Sequence, residues 1–506
     1  MQPLKHNPVF PRNRSQQATS VQPPFISGTE LGTGAPHIVP ESFFSIGGTY
    51  EGAPGSGKTY SLISDLQQRI LASLHMPRSF LYVDLKADIG SSEVFHGLRV
   101  AAEHVGIPFK WCVIGDTHFG RPSSAFNPMA MEFWRQSDLD TQANFLCSSF
   151  GLEYGVDYGP HFFSSLISYL AEYTRKRFPN ACTFRQLHRA VSELISLSPK
   201  KRPRDIHRDY IEKAIVFHSV LTRLSRYDVL NIAPDSGHPL DVADLRIDCA
   251  DLFRTPQVVY IFVNKAIGGT AAAEAGRLPI FALQYSSQLC QRLIPVTLAV
   301  DEVQVIASHT LKDGLNQLRG MDVGLIYAFQ SRENLVTSAV DLRPNVKNLA
   351  VDRTFTCTDE DEQLRFSKAS GHTSALRATM SGQPTMGGMF AVKNFSLREE
   401  LEPFHSLNTV KAVSANPELS FVTIKRDAPD CRYNGMPVIV RRIPRDDLRQ
   451  YASMPWPQDV AGTFVPATVV PEVDPDEIDL AGPVQPIHIR RAGNQIGWKG
   501  VGDVGN

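Results

Sequence analysis

The chain is expected to fold as an α/β protein around a central, mostly parallel sheet, and three observations carry that expectation. Short apolar, β-prone runs recur along it without polar alternation, which suits strands buried on both faces. Helical patterns separate those runs, and alternating strand and helix implies parallel connections. Finally, Gly52-Ala53-Pro54-Gly55-Ser56-Gly57-Lys58-Thr59 matches G-x-x-x-x-G-K-[ST] in full, with a β run ahead of it and a helical pattern behind.

Taken in order, the candidate strands are "SFFSI" (42–46), "SFLYV" (79–83), "QVVYIFV" (257–263), "VTLAV" (296–300), "VGLIYAF" (323–329) and "NLAVDRTF" (348–355). The interval 131–249 breaks the rhythm, with few β runs and several helical patterns. Within it, residues 161–178 place Phe162, Leu166, Tyr169, Leu170 and Tyr173 on one helical face, and residues 208–227 do the same with Ile211, Ile215, Val220 and Leu224. The expected organisation is therefore a disordered segment at 1–36 and a discontinuous nucleotide-binding domain at 37–130 and 250–454. An inserted all-α domain occupies 131–249, and a Pro/Asp-rich flexible tail follows at 455–506. The basic loop "SPKKRPRDIHR" (198–208) reads either as a solvated connector or as a contact to a phosphate backbone. The acidic tail reads as solubilising or as a docking segment.

Composition sets outer limits. Apolar residues make up 42% and charged residues 20% of the 506. That is an ordinary globular balance with ample core. The formal net charge of −1 does not exclude a nucleic-acid partner, because a local basic lining is compatible with a neutral total. No two of the seven cysteines form a CxxC clip and the histidines show no metal-ligand spacing, so a zinc site or a disulfide framework is not expected, and a reducing compartment fits. No apolar run approaches the roughly 18 residues of a membrane span, and the amino terminus has no secretory h-region. A cytoplasmic location is the expectation.

The motif residues define the first candidate site. Glycines in such a loop adopt backbone angles closed to other residues and bring amide N–H groups against phosphate. Lys58 would reach the β- and γ-phosphates of ATP, Thr59 would bind Mg2+ through its hydroxyl, and the following helix points its positive end at the same anions. The nucleotide-binding stretch runs from Gly52 to Tyr60. In "LIPVTLAVDEVQVI" an apolar run leads to Asp301, whose carboxylate would emerge at a strand end and hold the metal through water. Glu302 follows, placed to polarise an attacking water, and this pair argues for hydrolysis over mere switching.

With those residues in place, the order of motifs resembles the FtsK–HerA superfamily of ring-forming translocases. Within it, the resemblance is to the TraD/TraG-like coupling proteins of conjugation and type IV secretion. "FLYVDLKADIG" (80–90), "SSAFNPM" (123–129), "GPHFFSSLISYLAEY", "AVDEVQVI", "QLRGMDVGLIYAFQS" (317–331) and the segment from Asn345 to Gly371 each resemble a stretch of that family, over about residues 40–430. The resemblance implies a RecA-like domain, ATP and Mg2+ as ligands, a homohexameric ring and DNA in its channel. It implies relaxase and secretion-channel partners, with peripheral association at the inner membrane. It also implies that Arg319 reaches the neighbouring subunit's γ-phosphate as an arginine finger and that Gln330 senses the subunit's own. Two departures stand out. Asp84-Leu85-Lys86 lacks the family's proline, which leaves the roles of Asp84 and Lys86 open. The two membrane helices with which many members begin have no counterpart in this sequence. Other readings are a DNA pump of the same superfamily in phage packaging or plasmid or chromosome handling, a nucleotide-dependent recruitment scaffold, and an ATPase acting on polypeptide.

Overall fold

The computed structural model describes residues 25–40, 46–86, 90–115, 124–152, 183–196, 208–242, 245–264, 267–321, 323–337, 340–355, 360–384, 390–425, 435–444, 447–454 and 456. These lie in one compact unit spanning Met1–Gly462. In chain order the elements are β1 (Phe25–Glu30), β2 (Pro36–Val39), β3 (Gly48–Glu51), α1 (Lys58–Leu71), β4 (Ser79–Asp84), α2 (Gly90–Val105), β5 (Phe109–Ile114), α3 (Glu132–Gln136), α4 (Leu139–Phe150), α5 (Phe184–Ser196), α6 (Arg208–Leu224), β6 (Val258–Val263), α7 (Gly269–Leu289), β7 (Val296–Asp301), α8 (His309–Gly320) and β8 (Val323–Phe329). There follow α9 (Arg343–Lys347), β9 (Val351–Thr354), α10 (Glu360–Ala369), β10 (His372–Pro384), β11 (Phe390–Pro403), α11 (Leu407–Ser414), β12 (Leu419–Ile424), β13 (Pro437–Arg441) and α12 (Asp447–Ser453).

Eleven strands form one sheet in the order β2-β1-β13-β12-β9-β3-β8-β7-β4-β6-β5. From β9 to β5 every neighbouring pair is parallel. An antiparallel extension of β12, β13, β1 and β2 continues from β9. The central strands β4, β6, β7 and β8 are buried along their whole length, as their unbroken apolar runs require.

Strand alternation divides the core. Leu81, Val83, Leu298, Val300 and Leu325 face one side, where they join Phe145, Leu187, Phe217 and Leu278 from the helices. Phe80, Tyr82, Ala299, Ile326 and Ala328 face the other, against Leu62 and Ile63 of α1 and Phe95 of α2. Each fully buried large apolar side chain contributes about 1.5–3 kcal/mol, so both helical layers are held to the sheet by the same strands. The helices of 131–249 thus share a continuous core with the sheet. Arg277 of α7 fastens them further by donating to the carbonyls of Ser149 and Phe150, each at 3.0 Å.

Several sequence expectations need correction. Residues 25–36 belong to an ordered part of the sheet: β1 pairs with β2 and β13, and Phe25 and Val39 are buried with Val440. A disordered segment 1–36 therefore cannot extend past residue 24, and residues 1–24 lie outside the described residues. The strand feeding the motif is Gly48–Glu51, with 41–45 outside the described residues. In α6 the buried face is Ala214, Phe217, Val220, Leu221 and Leu224, whereas Ile215 is 56% exposed. The helix expected at 161–178, the greater part of the expected loop 198–208 and the expected tail beyond Trp456 also lie outside the described residues. Trp456 itself packs on Phe95 with ring centroids 4.2 Å apart, so residue 456 is not part of a flexible tail. Among the described residues no helix is long and apolar enough to cross a membrane. β10 and β11 form a separate two-stranded antiparallel ribbon.

Candidate nucleotide site

The parallel registers bring the predicted residues to one edge of the sheet. Asp84 is level with Asp301, Asp301 with Ala328, and Phe329 with Glu51, all at strand carboxyl ends. Ligands of open α/β sheets bind outside that edge. The loop from Gly52 starts there, anchored by the Gly52 amide on the Phe329 carbonyl at 3.2 Å. Glycine leaves room at position 52 for the loop to close, since a Cβ there would lie 2.5 Å from Ser56 Oγ and 3.0 Å from Phe355 Cβ. Gly57 has a φ of 90° and caps α1 without a side-chain hydrogen bond, and no acidic residue occupies the first turn. The first amides of α1 and its positive end therefore face the loop.

Lys58 is buried and donates to Glu302 Oε1 at 3.0 Å. Glu302 is 2% exposed. Its backbone is left-handed, with φ 60° and ψ 48°. That conformation is costly for a residue with a side chain. Its other oxygen accepts from Gln330 Nε2 at 3.1 Å and from Gln304 Nε2. Lys58, Glu302 and Gln330 thus form a continuous chain across the ends of β3, β7 and β8.

Asp301 is wholly buried. Its Oδ2 accepts from Tyr82 at 3.4 Å, whereas its Oδ1 has no hydrogen-bond partner among the described residues. Burial pushes its carboxyl up to about 6; Lys58 opposes that shift, while Asp84 and Glu302 add to it. Asp84 accepts from Tyr260 at 2.5 Å and from the Lys86 amide at 2.9 Å, and Lys86 Nζ reaches Thr59 Oγ1 at 3.4 Å. The sequence left Asp84 and Lys86 without a role; the fold places both beside Thr59 and Asp301. Ser56 Oγ, also buried, likewise has no partner among the described residues. An orphaned carboxylate oxygen, an orphaned hydroxyl, a lysine and a helix amino terminus fit a phosphate chain with a hard divalent cation.

Arg319 lies elsewhere. It is half-buried in the last turn of α8, at the amino-terminal edge of β8, and forms no ion pair among the described residues. β8 runs for 7 residues, so roughly 20 Å separate Arg319 from Gln330. Only Gln330 of the two meets this subunit's own site.

Sequence reasoning missed a buried ionic network behind the loop. Arg332 donates to Glu51 at 3.1 Å and to Asp352 at 3.0 Å, and Lys425 meets Asp352 at 2.7 Å. Glu362 of α10 is pushed up to about 8, by burial first and then by Glu51. Arg332 and Glu51 alone are 281 residues apart, and no spacing along the chain announces such partners.

Protein-family models and curated proteins give no match to this chain. Solved structures do. The bacterial conjugative coupling protein TrwBdeltaN70 in complex with sulphate superposes with a TM-score of 0.50 at 12% identity, covering 83% of this chain and 89% of that one. The plasmid coupling protein TrwB in complex with ADP and Mg2+ gives 0.50 at 12% identity, over 83% and 90%. VirB4 of Thermoanaerobacter pseudethanolicus gives 0.49 at 10% identity, over 84% and 98%. The chain has the α/β, RecA-like fold of TrwB, and at the level of the fold this agrees with the family resemblance of its motifs.

Proposed function

We propose that this protein is an ATP-hydrolysing motor that moves DNA as a homohexameric ring, in the manner of a conjugation or type IV secretion coupling protein. The observation that carries the reading is the buried chain Lys58–Glu302–Gln330 at the mouth of a complete phosphate-binding loop. A non-hydrolysing scaffold has no need of a carboxylate held in a strained conformation against the phosphate-binding lysine. The TrwB structure of the same fold is a complex with ADP and Mg2+.

In this reading the backbone N–H groups of residues 55–60 and the Lys58 ammonium bind the phosphates of ATP. Thr59 and Asp301 would hold Mg2+, Asp301 through water, with Asp84 and Lys86 beside them. The cation, when bound, neutralises charge on the β- and γ-oxygens. Lys58 must exchange Glu302 for phosphate, which frees the Glu302 carboxylate to accept a proton from the attacking water. Gln330, bonded to the same carboxylate, registers that release. Arg319, remote from its own site, serves the neighbour's in a head-to-tail ring, where such an arginine supplies on the order of 10³–10⁵ in rate. DNA would lie in the ring channel, tracked through its phosphates.

The test is ATP turnover and nucleotide binding measured side by side. Lys58→Ala should lose both, and Arg319→Ala should lose turnover while still binding ATP. Unchanged turnover in Arg319→Ala would return that arginine to an ordinary surface position.

A further inference from the structure

The segment after β13 reaches the phosphate-binding loop, and nothing in the motif anticipates it. Arg442 is half-buried, and its guanidinium carbon sits 4.5 Å from the centre of the Tyr60 ring. Its Nη1 lies 3.0 Å from the point where a side chain on Gly57 would begin, and the Pro417 carbonyl lies equally close to that point. Two further bonds hold the arrangement: the Arg442 amide donates to the Glu418 carbonyl at 2.9 Å, and the Tyr60 hydroxyl donates to the Ile443 carbonyl at 3.2 Å. Arg442 forms no ion pair among the described residues, so no carboxylate there accounts for a guanidinium fixed beside an anion-binding loop.

Its position relative to Lys58 gives it a use. Residues 58 and 60 of α1 are roughly 200° apart around the helix. Lys58 turns toward Glu302 and the ends of β7 and β8, the end where the γ-phosphate is cleaved. Tyr60 turns to the opposite flank, where the remainder of a nucleotide must leave the loop. A planar cation stacked on an aromatic ring presents a flat face, and a nucleobase is the flat part of a nucleotide. We propose that Arg442, pinned by Tyr60, forms the base-side wall of the nucleotide pocket and stacks against a purine ring. This inference rests on the nucleotide-binding reading of residues 52–59. It adds the carboxy-terminal strands to the site: β13 and the loop at Pro417–Glu418 close over the amino terminus of α1.

Calorimetric titration of the full chain with ADP and, separately, with inorganic pyrophosphate tests it, because pyrophosphate keeps the anion and has no base. Arg442→Ala should weaken ADP binding about tenfold, as a stacked cation of this kind contributes, and change pyrophosphate binding less than twofold. Arg442→Lys, with charge but no planar face, should remain at least fivefold weaker than wild type for ADP. Tyr60→Leu should reproduce the same selective loss, and unchanged melting of the unliganded variants establishes that they fold. ADP affinity unaltered by Arg442→Ala would overturn the inference, as would an equal loss for ADP and pyrophosphate, which places Arg442 on the phosphates. Wild-type protein that binds neither ligand would overturn the nucleotide reading itself.

Discussion

Replacing Glu302 with glutamine should tighten ATP binding while stopping its hydrolysis. In the unliganded protein Lys58 is committed to Glu302, 3.0 Å away, with both side chains almost wholly buried. Two unit charges at that distance attract by about 5.5 kcal/mol at an effective dielectric constant of about 20. Nucleotide binding must give up that attraction and bring phosphate charge up to a carboxylate. Glutamine keeps an oxygen for Lys58 but removes the charge, and relief of the carboxylate's own desolvation offsets much of the gross figure. A net gain of about 1–2 kcal/mol is expected, or roughly five- to thirtyfold in Kd. Fluorescent-nucleotide titration reads the affinity, and phosphate release reads turnover, which should fall by at least about 10² with the general base removed. Weaker or unchanged binding would show that Glu302 does not compete for Lys58. Surviving turnover would remove it from the chemistry.

Further predictions concern the ring and the buried charges. Equimolar mixing of Lys58→Ala and Arg319→Ala subunits, each inactive alone, should restore about a quarter of wild-type turnover, because in a random head-to-tail ring about a quarter of the interfaces pair an intact loop with a neighbour's intact arginine; a mixture as inactive as its parts contradicts action in trans. Glu362 is raised to about 8 in the folded protein from an ordinary 4.5. It binds its proton more tightly folded than unfolded, so its contribution to stability should fall as pH rises from about 4.5 to about 8. Glu362→Gln should therefore melt progressively higher than wild type across that window, and parallel melting curves at every pH refute the assignment. Arg353 and Asp65 form a buried pair at 3.1 Å, with Tyr50 also bonded to Asp65. Arg353→Met should cost about 3–5 kcal/mol in urea denaturation by stranding the carboxylate, and adding Asp65→Leu should recover most of it; a single-variant loss below about 1 kcal/mol would be contrary.

What could be read from the chain depended on how local the signal was. β4, β6, β7 and β8 announce themselves because strands buried on both faces must be continuously apolar. The loop at Gly52–Thr59 is legible because phosphate chemistry fixes residue types at fixed spacing. β12, β13, β1 and β2 escaped notice: they lie on the antiparallel side of the sheet, β2 has only 4 residues, and "PVIVR" opens on a proline. Ile215 was misplaced because a pattern of i and i+4 positions fits more than one face of a helix, and packing against α5 and α7 selects Ala214, Phe217 and Leu221. Arg332, Lys86 and Arg442 acquire meaning only from partners that the fold brings near. Glu302 was found by its neighbour Asp301, yet its left-handed backbone and its bond to Gln330 became visible only in three dimensions.

The central claim is a motor coupled to DNA, and steady-state ATP hydrolysis with single-stranded DNA, with double-stranded DNA and without nucleic acid tests it most directly. The account predicts low basal turnover that one form of DNA raises at least about tenfold at low salt, with assembly to a hexamer recorded in parallel and all activity lost in Lys58→Ala. Protein that binds ATP but hydrolyses it at the same rate with and without either DNA would contradict it.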